Sequence, residues 1–196
     1  MTYQEIPGWF GFESLYDAAV ARTPPHGVMV EVGCWLGRSL AYLGGRVRGS
    51  GKPVNLWGVD HGVGTDSETE RLLHGPTLAA CGGNTLGLLA ANLRACGVAD
   101  VAVPMGCSSL RAAALFPPKS VDFVFLDAAH DEESVRADLA AWWPTIKPGG
   151  VMAGHDYDPF WVGVRRAVDE FFRLSEWGAR SSLVPNCWWV EKPLLT

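Results

Sequence analysis

The residues best suited to chemistry in this 196-residue chain stand at the ends of short apolar runs. Asp127 and His130 follow the run from Val121 to Leu126, and His155-Asp156 follow the apolar residues 150–153. Carboxylates bind cations, and an imidazole, with an unperturbed pKa of about 6.5, can remove a proton near neutral pH. These residue types therefore indicate acid–base catalysis or a divalent metal.

A glycine turn follows another apolar run, residues 28–32. Gly33 and Gly37 enclose Cys34-Trp35-Leu36, and a helical pattern that contains Ser39 begins immediately afterwards. Glycine lets the backbone turn sharply and approach a ligand, and the free N–H groups of a new helix favour a carboxylate or a phosphate. The turn is therefore typical of a strand that leads into a helix at a ligand site.

Asp60 narrows the choice of ligand. It ends a second apolar run, residues 54–59, at the position where an acid binds the hydroxyl pair of a ribose. The glycine turn is G-x-x-x-G and lacks the G-x-G-x-x-G pattern of a dinucleotide-binding fold, which argues against an oxidoreductase. A ligand with a ribose but no phosphate fits this combination best.

Each of these polar residues also has a structural interpretation. Asp127 can cap the following helix, His130 can cap that helix or line a pocket, and Asp156 can form a turn. Glu31, inside the first apolar run, can bind loop N–H groups.

Strand and helix patterns alternate along the chain, which predicts an α/β fold in a single domain, residues 1–196, with a mainly parallel sheet. The carboxyl ends of parallel strands share one edge, where the polar residues above would meet. Residues 1–27 read as a helical lead-in. Residues 62–83, rich in Gly, Thr and Ser, are expected to be a long loop that forms a lid. The predicted strands are 28–32, 54–59, 101–105, 121–126, 150–153 and about 188–190, with another near 180–184; the predicted helices are 11–22, 37–48, 84–96, 131–143 and 161–175; residues 147–150 are a predicted tight turn.

Composition limits the partners. The net charge is −5 and there is no basic run, which argues against nucleic acid. No apolar run approaches the about 20 residues of a membrane span, and the N-terminus lacks a signal-peptide pattern. The five cysteines are widely spaced without C-x-x-C, so we expect reduced thiols in a cytoplasmic protein. An aromatic N-terminal segment could serve a homo-oligomer contact.

The motif Glu31-x-Gly33-x-x-x-Gly37-x-Ser39 resembles the first motif of class I S-adenosylmethionine-dependent methyltransferases, in the form common in O-methyltransferases. Four later stretches resemble small-molecule methyltransferases related to macrocin O-methyltransferase: residues 125–130, Asp138-Leu139 with Trp142, residues 147–150, and residues 155–157. The resemblance covers about residues 28–157. It implies a Rossmann-like methyltransferase fold, with helices on both faces of the sheet and an antiparallel C-terminal strand.

The resemblance also implies how the donor, S-adenosylmethionine, is bound. Gly33, Gly37 and Ser39 would hold its methionine part, with Ser39 near the methionine carboxylate. Asp60 would bind the ribose hydroxyls, and Ser108 or Ser109 would meet the adenine. Asp127 would lie near the amino group, the sulfonium or a metal. Three further residues are expected beside the donor: Glu31, His61 and Ala128.

The implied chemistry is O-methylation of a small acceptor, such as a sugar, a glycosylated natural product or a phenol. His130 would be the general base, and Asp127, also part of the catalytic pair, would bind Mg²⁺. The related enzymes add two adjacent acids as metal ligands, where this chain has His155-Asp156. Because imidazole suits softer ions than magnesium does, Mg²⁺, another divalent cation, or no metal remains open. A non-catalytic donor-binding module, or a partner subunit of another enzyme, is the alternative.

Overall fold

A seven-stranded sheet forms the centre of the computed structural model, which describes residues 1–65, 67–173, 180–181 and 184–194. Its order is β3-β2-β1-β4-β5-β7-β6. The first five strands are parallel to their neighbours, and β7 is antiparallel to both β5 and β6. The sheet confirms the predicted α/β class and the antiparallel C-terminal strand. The strands are β1 (Val28–Val32), β2 (Asn55–Asp60), β3 (Ala102–Gly106), β4 (Val121–Leu126), β5 (Ile146–Gly154), β6 (Arg180–Ser181) and β7 (Trp188–Glu191).

Helices cover both faces of the sheet because the strands are apolar on both sides. In β1, Met29 packs into the core with α1, α2 and α4, while Val30 packs into the core with α5, α6 and α7. In β4, Phe123 and Val124 divide in the same way. Strands buried on both faces read as nearly continuous apolar runs, which is why they were visible in the sequence. The helices are α1 (Glu13–Arg22), α2 (Arg38–Gly49), α3 (Glu68–Ala80), α4 (Leu86–Ala95), α5 (Ser109–Ala113), α6 (Glu132–Trp142) and α7 (Val162–Arg173). No helix among the described residues is long and apolar enough to span a membrane.

The segment 62–83 differs from the expected long loop, because α3 occupies most of it. Pro76 lies inside this helix, and proline normally interrupts helical hydrogen bonding, so the composition pointed away from a helix. Contacts with distant residues accompany the helical conformation: the ring of His74 lies 4.3 Å from that of Trp35. Whether this segment moves as a lid stays a prediction.

Strand β5 also differs from the expected tight turn at residues 147–150. Ile146 already pairs with Val121, and Val151 pairs with Phe123, so the residues between them form a bulge inside the strand. The C-terminal segment binds this bulge: the N–H of Gly149 donates to the carbonyl of Lys192 at 2.7 Å. That partner is more than forty residues away along the chain, and local patterning could not indicate it. The predicted helix end at 174–175 and part of the predicted strand 180–184 lie outside the described residues.

The sheet order places the ends of β1 and β4 side by side at a topological switch point, where open α/β sheets bind ligands. The N–H of Asp127 donates to the carbonyl of Val32, and the N–H of Gly33 donates to the carbonyl of Val59, both at 2.8 Å. Gly33 has a φ of +87°, and a Cβ on it would lie 1.9 Å from the carbonyl oxygen of Asp127. Only glycine fits at this contact.

We therefore predict that Gly33→Ala destabilises the protein by about 3 kcal/mol, since the methyl group would overlap backbone atoms at a left-handed φ. Gly45→Ala is the matched control: Gly45 is exposed within α2 with no atom near its missing Cβ, so alanine should stabilise by about 0.5–1 kcal/mol. Urea denaturation measures both. Equal effects of the two substitutions would contradict the close contact.

Candidate functional site

Two adjoining cavities open at the carboxyl edge of the sheet. Cavity A, about 440 Å³, lies between the ends of β1, β2 and β4 and the starts of α5 and α6. Cavity B, about 210 Å³, lies between the glycine loop (residues 33–37), the N-terminal residues 7–9 and the ends of β4 and β5. An elongated ligand can extend from one cavity into the other, because five residues line both: Gly33, Trp35, His74, Asp127 and Ala128.

Asp60 lies in the wall of cavity A, where its carboxylate holds two turns of the backbone. One oxygen accepts the N–H of Trp35 at 2.8 Å, and the other accepts the N–H of Gly62 at 2.7 Å. Trp35 has a φ of +48°, a conformation that non-glycine residues rarely adopt and that this hydrogen bond helps to hold. Each carboxylate oxygen can accept a second hydrogen bond, so Asp60 can also accept hydrogen bonds from the hydroxyl groups of a ligand.

The far end of cavity A is formed by the start of α5. Ser108 and Ser109 line it, and the Ser109 hydroxyl accepts a hydrogen bond from the indole N–H of Trp142 at 2.9 Å. Asp138 lines the same end. Burial raises the pKa of Asp138 to about 6, although its hydrogen bond with Ser109 acts to lower that pKa. The sequence analysis did not assign Asp138 to the site, although it belongs to one of the quoted motif stretches.

A buried carboxylate lies beneath the glycine loop. Glu31 is 1% exposed and accepts hydrogen bonds from the Tyr16 hydroxyl at 2.8 Å and the Ser39 hydroxyl at 2.7 Å. Burial raises the pKa of Glu31 to about 8, although both hydrogen bonds oppose the shift. Among the described residues, Glu31 and Gly37 fall outside the linings of cavities A and B, whereas Ser39 lines cavity B.

Two acids and two histidines meet where cavity B reaches the ends of β4 and β5. The Nε2 of His130 lies 2.7 Å from a carboxylate oxygen of Asp156. The Nδ1 of His155 lies 3.2 Å from the same oxygen and 3.7 Å from a carboxylate oxygen of Asp127. The ring of His130 stacks on Trp161 with centroids 4.0 Å apart, which fixes its plane.

The four groups influence one another electrostatically. Burial raises the pKa of Asp127, and the negative charge of Asp156 acts in the same direction while His155 opposes it. Burial also acts to raise the pKa of Asp156, but hydrogen bonds with His130 and His155 outweigh burial and hold that pKa well below its usual range. Asp156 is therefore the anion that pairs with both imidazoles.

Three of these groups could hold a metal ion. One ligand atom each from Asp127, His130 and Asp156 lies within 4.8 Å of the others. The predicted ligand set named His155 in place of His130. The ring of His155 instead packs near Phe12, at 5.0 Å between centroids, with its Nδ1 turned toward the acids. The group found among the described residues therefore contains His130 where the predicted ligand set contains His155, and the two sets share Asp127 and Asp156.

Most residues singled out in the sequence do meet at this edge. Two groups lie in the walls: cavity A has Gly33, Asp60, His61, Ser108, Asp127 and Ala128, and cavity B adds Ser39, His130, His155 and Asp156. Cavity B is also lined by three residues that the sequence motifs did not assign to the site: Arg38, Trp9 and Trp161. An arginine next to the glycine turn was a visible signal, whereas the two tryptophans are brought in by segments remote from the motifs.

Comparison with known proteins finds a matching family and solved structures with the same fold. Residues 30–157, more than half of the chain, match the family described as "Methyltransferase domain". Three solved structures share the fold at low identity. The O-methyltransferase NovP is 17% identical with a TM-score of 0.70, and the match covers 92% of this chain and 79% of the NovP chain. The calicheamicin methyltransferase CalS11 is 21% identical with a TM-score of 0.64, covering 91% and 76%. The S-adenosylmethionine-dependent O-methyltransferase TM0748 from Thermotoga maritima is 14% identical with a TM-score of 0.61, covering 97% and 68%.

The burial of Glu31 predicts a pH-dependent stability. The folded protein holds the Glu31 proton up to about pH 8, whereas the unfolded chain releases it near its ordinary pKa of 4.5. Glu31 therefore makes the free energy of unfolding fall as pH rises from about 4.5 to about 8. Glu31→Gln should remove this part of the dependence, as measured by urea denaturation at several pH values. The exposed Glu68→Gln should keep the wild-type profile; identical profiles for wild type and Glu31→Gln would contradict the prediction.

Proposed function

Since this chain belongs to the methyltransferase domain family and is an S-adenosylmethionine-dependent enzyme, we propose that it methylates a hydroxyl oxygen of a small molecule. The observation that carries the proposal is the His130–Asp156 pair beside Asp127. This pair lies in cavity B, which adjoins cavity A. An alcohol is a poor nucleophile until its proton is removed, and this pair is suited to remove it.

The residues present fit the donor. In our proposal, cavity A holds the adenosine: Asp60 and His61 face the ribose, and Ser108 faces the adenine. The methionine part extends past Gly33 into cavity B, between the glycine loop and Asp127. The fit rests on three features: the two joined cavities, the spare acceptor capacity of Asp60, and the absence of a Cβ at Gly33, where the two cavities meet.

His130 serves as the general base in this proposal. Its Nε2 lies 2.7 Å from a carboxylate oxygen of Asp156, and a neutral imidazole beside that carboxylate is suited to take up the hydroxyl proton. Asp156 orients the ring and stabilises the imidazolium that forms, as a carboxylate does in a catalytic triad. The acceptor oxygen forms a bond to the methyl carbon while the bond from that carbon to sulfur breaks. The rest of the chain contributes alignment of the two reactants.

A divalent cation is a second way to activate the hydroxyl. The carboxylates of Asp127 and Asp156 would hold it, with His130 as the third ligand only when it does not act as the base, and the cation would lower the pKa of the acceptor hydroxyl. Two oxygens and one nitrogen suit Mg²⁺ less well than six oxygens do, and suit softer divalent ions better. We propose that metal assistance is present, with Asp127 and Asp156 as its principal ligands.

The proposed acceptor is a sugar, a glycosylated natural product or a phenol. The walls of cavity B include the rings of Trp9, Trp35 and Trp161, and flat apolar surfaces with polar edges pack well against sugar and phenol rings. CalS11 is described as a TDP-rhamnose 3′-O-methyltransferase, which supports a sugar hydroxyl by analogy.

The five cysteines are free thiols, which supports our expectation of a reducing, cytoplasmic location.

The proposal is tested by incubating the protein with radiolabelled S-adenosylmethionine and a panel of nucleotide sugars, glycosylated natural products and phenols. We expect acceptor-dependent release of S-adenosylhomocysteine for at least one class. With that acceptor, His130→Asn should lower kcat by about 100-fold or more while the Kd for S-adenosylhomocysteine changes less than about twofold.

His26→Asn is the control for the histidine substitution. His26 lies in an exposed loop at φ +62°, a conformation that asparagine tolerates, so its kcat should match wild type. An unchanged kcat in His130→Asn would contradict the assignment of the base. Transfer to an amine but to no hydroxyl would contradict O-methylation itself.

Metal assistance is tested by removing divalent ions with EDTA and adding back Mg²⁺, Mn²⁺ or Zn²⁺. We expect activity to fall at least tenfold and to return with one of these ions, and Asp127→Asn to weaken the response to that ion. Full activity after EDTA treatment would contradict the metal and leave activation of the hydroxyl to His130 and Asp156.

A further inference from the structure

Arg38 is a cationic residue of cavity B to which the motifs assign no role. It is the first residue of α2 and lines the cavity beside Ser39 and Leu36. One terminal nitrogen of its guanidinium donates to the carbonyl of Gly8 at 2.6 Å. Its Nε is buried and has no hydrogen-bond partner. Arginine has five N–H donors and is always charged, so most of its bonding capacity is unused here.

The charge of Arg38 is not balanced by a carboxylate. The ion pairs formed by the described residues include Arg22, Arg46, Arg48, Arg136 and Arg166, but none involves Arg38. Placing a cation in a partly buried wall without a counter-ion costs free energy, unless an anion binds there during function. The guanidinium fork matches the two oxygens of a carboxylate.

The start of α2 favours the same anion. Gly37 precedes the helix at φ +88° without a capping side chain, and no acidic residue lies in the first turn. The first N–H groups of a helix have no partner within it and carry a partial positive charge. The guanidinium and the helix start therefore provide two independent attractions for a negative group at this end of cavity B.

Ser39 is a less suitable partner for that group than its motif implies. The Ser39 hydroxyl donates its proton to buried Glu31 at 2.7 Å. A hydroxyl has one proton, so Ser39 cannot donate to a ligand carboxylate while it donates to Glu31. The neighbouring Arg38 can.

The wall of cavity B carries both a positively charged side chain and negatively charged ones. Arg38 lines it together with Asp127 and Asp156. The methionine part of the donor is a zwitterion with one ammonium and one carboxylate, so a cavity with both signs of charge matches it. We propose that Arg38 binds the methionine carboxylate of S-adenosylmethionine and thereby distinguishes it from nucleosides that lack this group. The inference rests on S-adenosylmethionine as the donor.

The test compares two ligands by titration calorimetry. One is S-adenosylhomocysteine, and the other is its decarboxylated analogue, which keeps the amine and the adenosine. Wild type should bind S-adenosylhomocysteine at least tenfold more tightly than the analogue. Arg38→Met should raise the Kd for S-adenosylhomocysteine at least tenfold and change the Kd for the analogue less than twofold. Arg38→Lys, which keeps the charge without the fork, should fall between wild type and Arg38→Met.

Arg46→Met is the matched control. It removes one positive charge from the same helix, where Arg46 pairs with Asp17, and should leave both affinities unchanged. Equal weakening of both ligands by Arg38→Met would overturn the proposal and assign Arg38 only to the support of Gly8. Unchanged binding of both would overturn it as well. If wild type bound neither ligand, the donor itself would be wrong and this inference would fail with it.

Discussion

The contact between the ends of β1 and β4 is the constraint on which the rest of the site depends. Gly33 approaches Asp127 so closely that a Cβ would lie 1.9 Å from the carbonyl oxygen, and the N–H of Asp127 donates to the carbonyl of Val32 at the same two strand ends. This contact brings the glycine loop, which follows β1, against the acids and histidines that follow β4 and β5. The proposed donor binding and proton removal therefore share two joined cavities rather than separate places.

A layer of buried polar groups supports that contact. Glu31 receives the hydroxyls of Tyr16 and Ser39, so an acid in the middle of an apolar strand has hydrogen-bond partners from α1 and α2. Asp60 plays a comparable part at the surface of cavity A, where it holds the N–H groups of Trp35 and Gly62. The acids of this protein thus divide by environment. Glu31 is enclosed by protein groups, whereas Asp60, Asp127 and Asp156 reach the cavities.

The shared fold does not by itself choose the acceptor, since the three solved structures described above are only 14% to 21% identical to this chain. In the proposed function, the acceptor depends on the side chains around cavity B, which come from separate parts of the chain. Trp9 belongs to the N-terminal segment, His74 to α3, and Trp161 to the residue before α7. These are connecting and peripheral segments, which vary more readily than the strands that position the catalytic groups.

The amino-acid sequence by itself determined the alternation of strands and helices and the polar residues that end each strand. Apolar runs and helical spacing report burial within one element, and the edge rule for parallel sheets then brings Asp60, Asp127, His130 and Asp156 to one edge. Tertiary structure alone decided the helix α3 across the predicted loop, the bulge in β5, and the meeting of His130 with Asp127 and Asp156. It also decided that Arg38 lines a cavity, where no ion pair among the described residues involves it. Each of these depends on contacts between residues distant in the chain, and periodicity within one segment carries no information about the partner across such a contact.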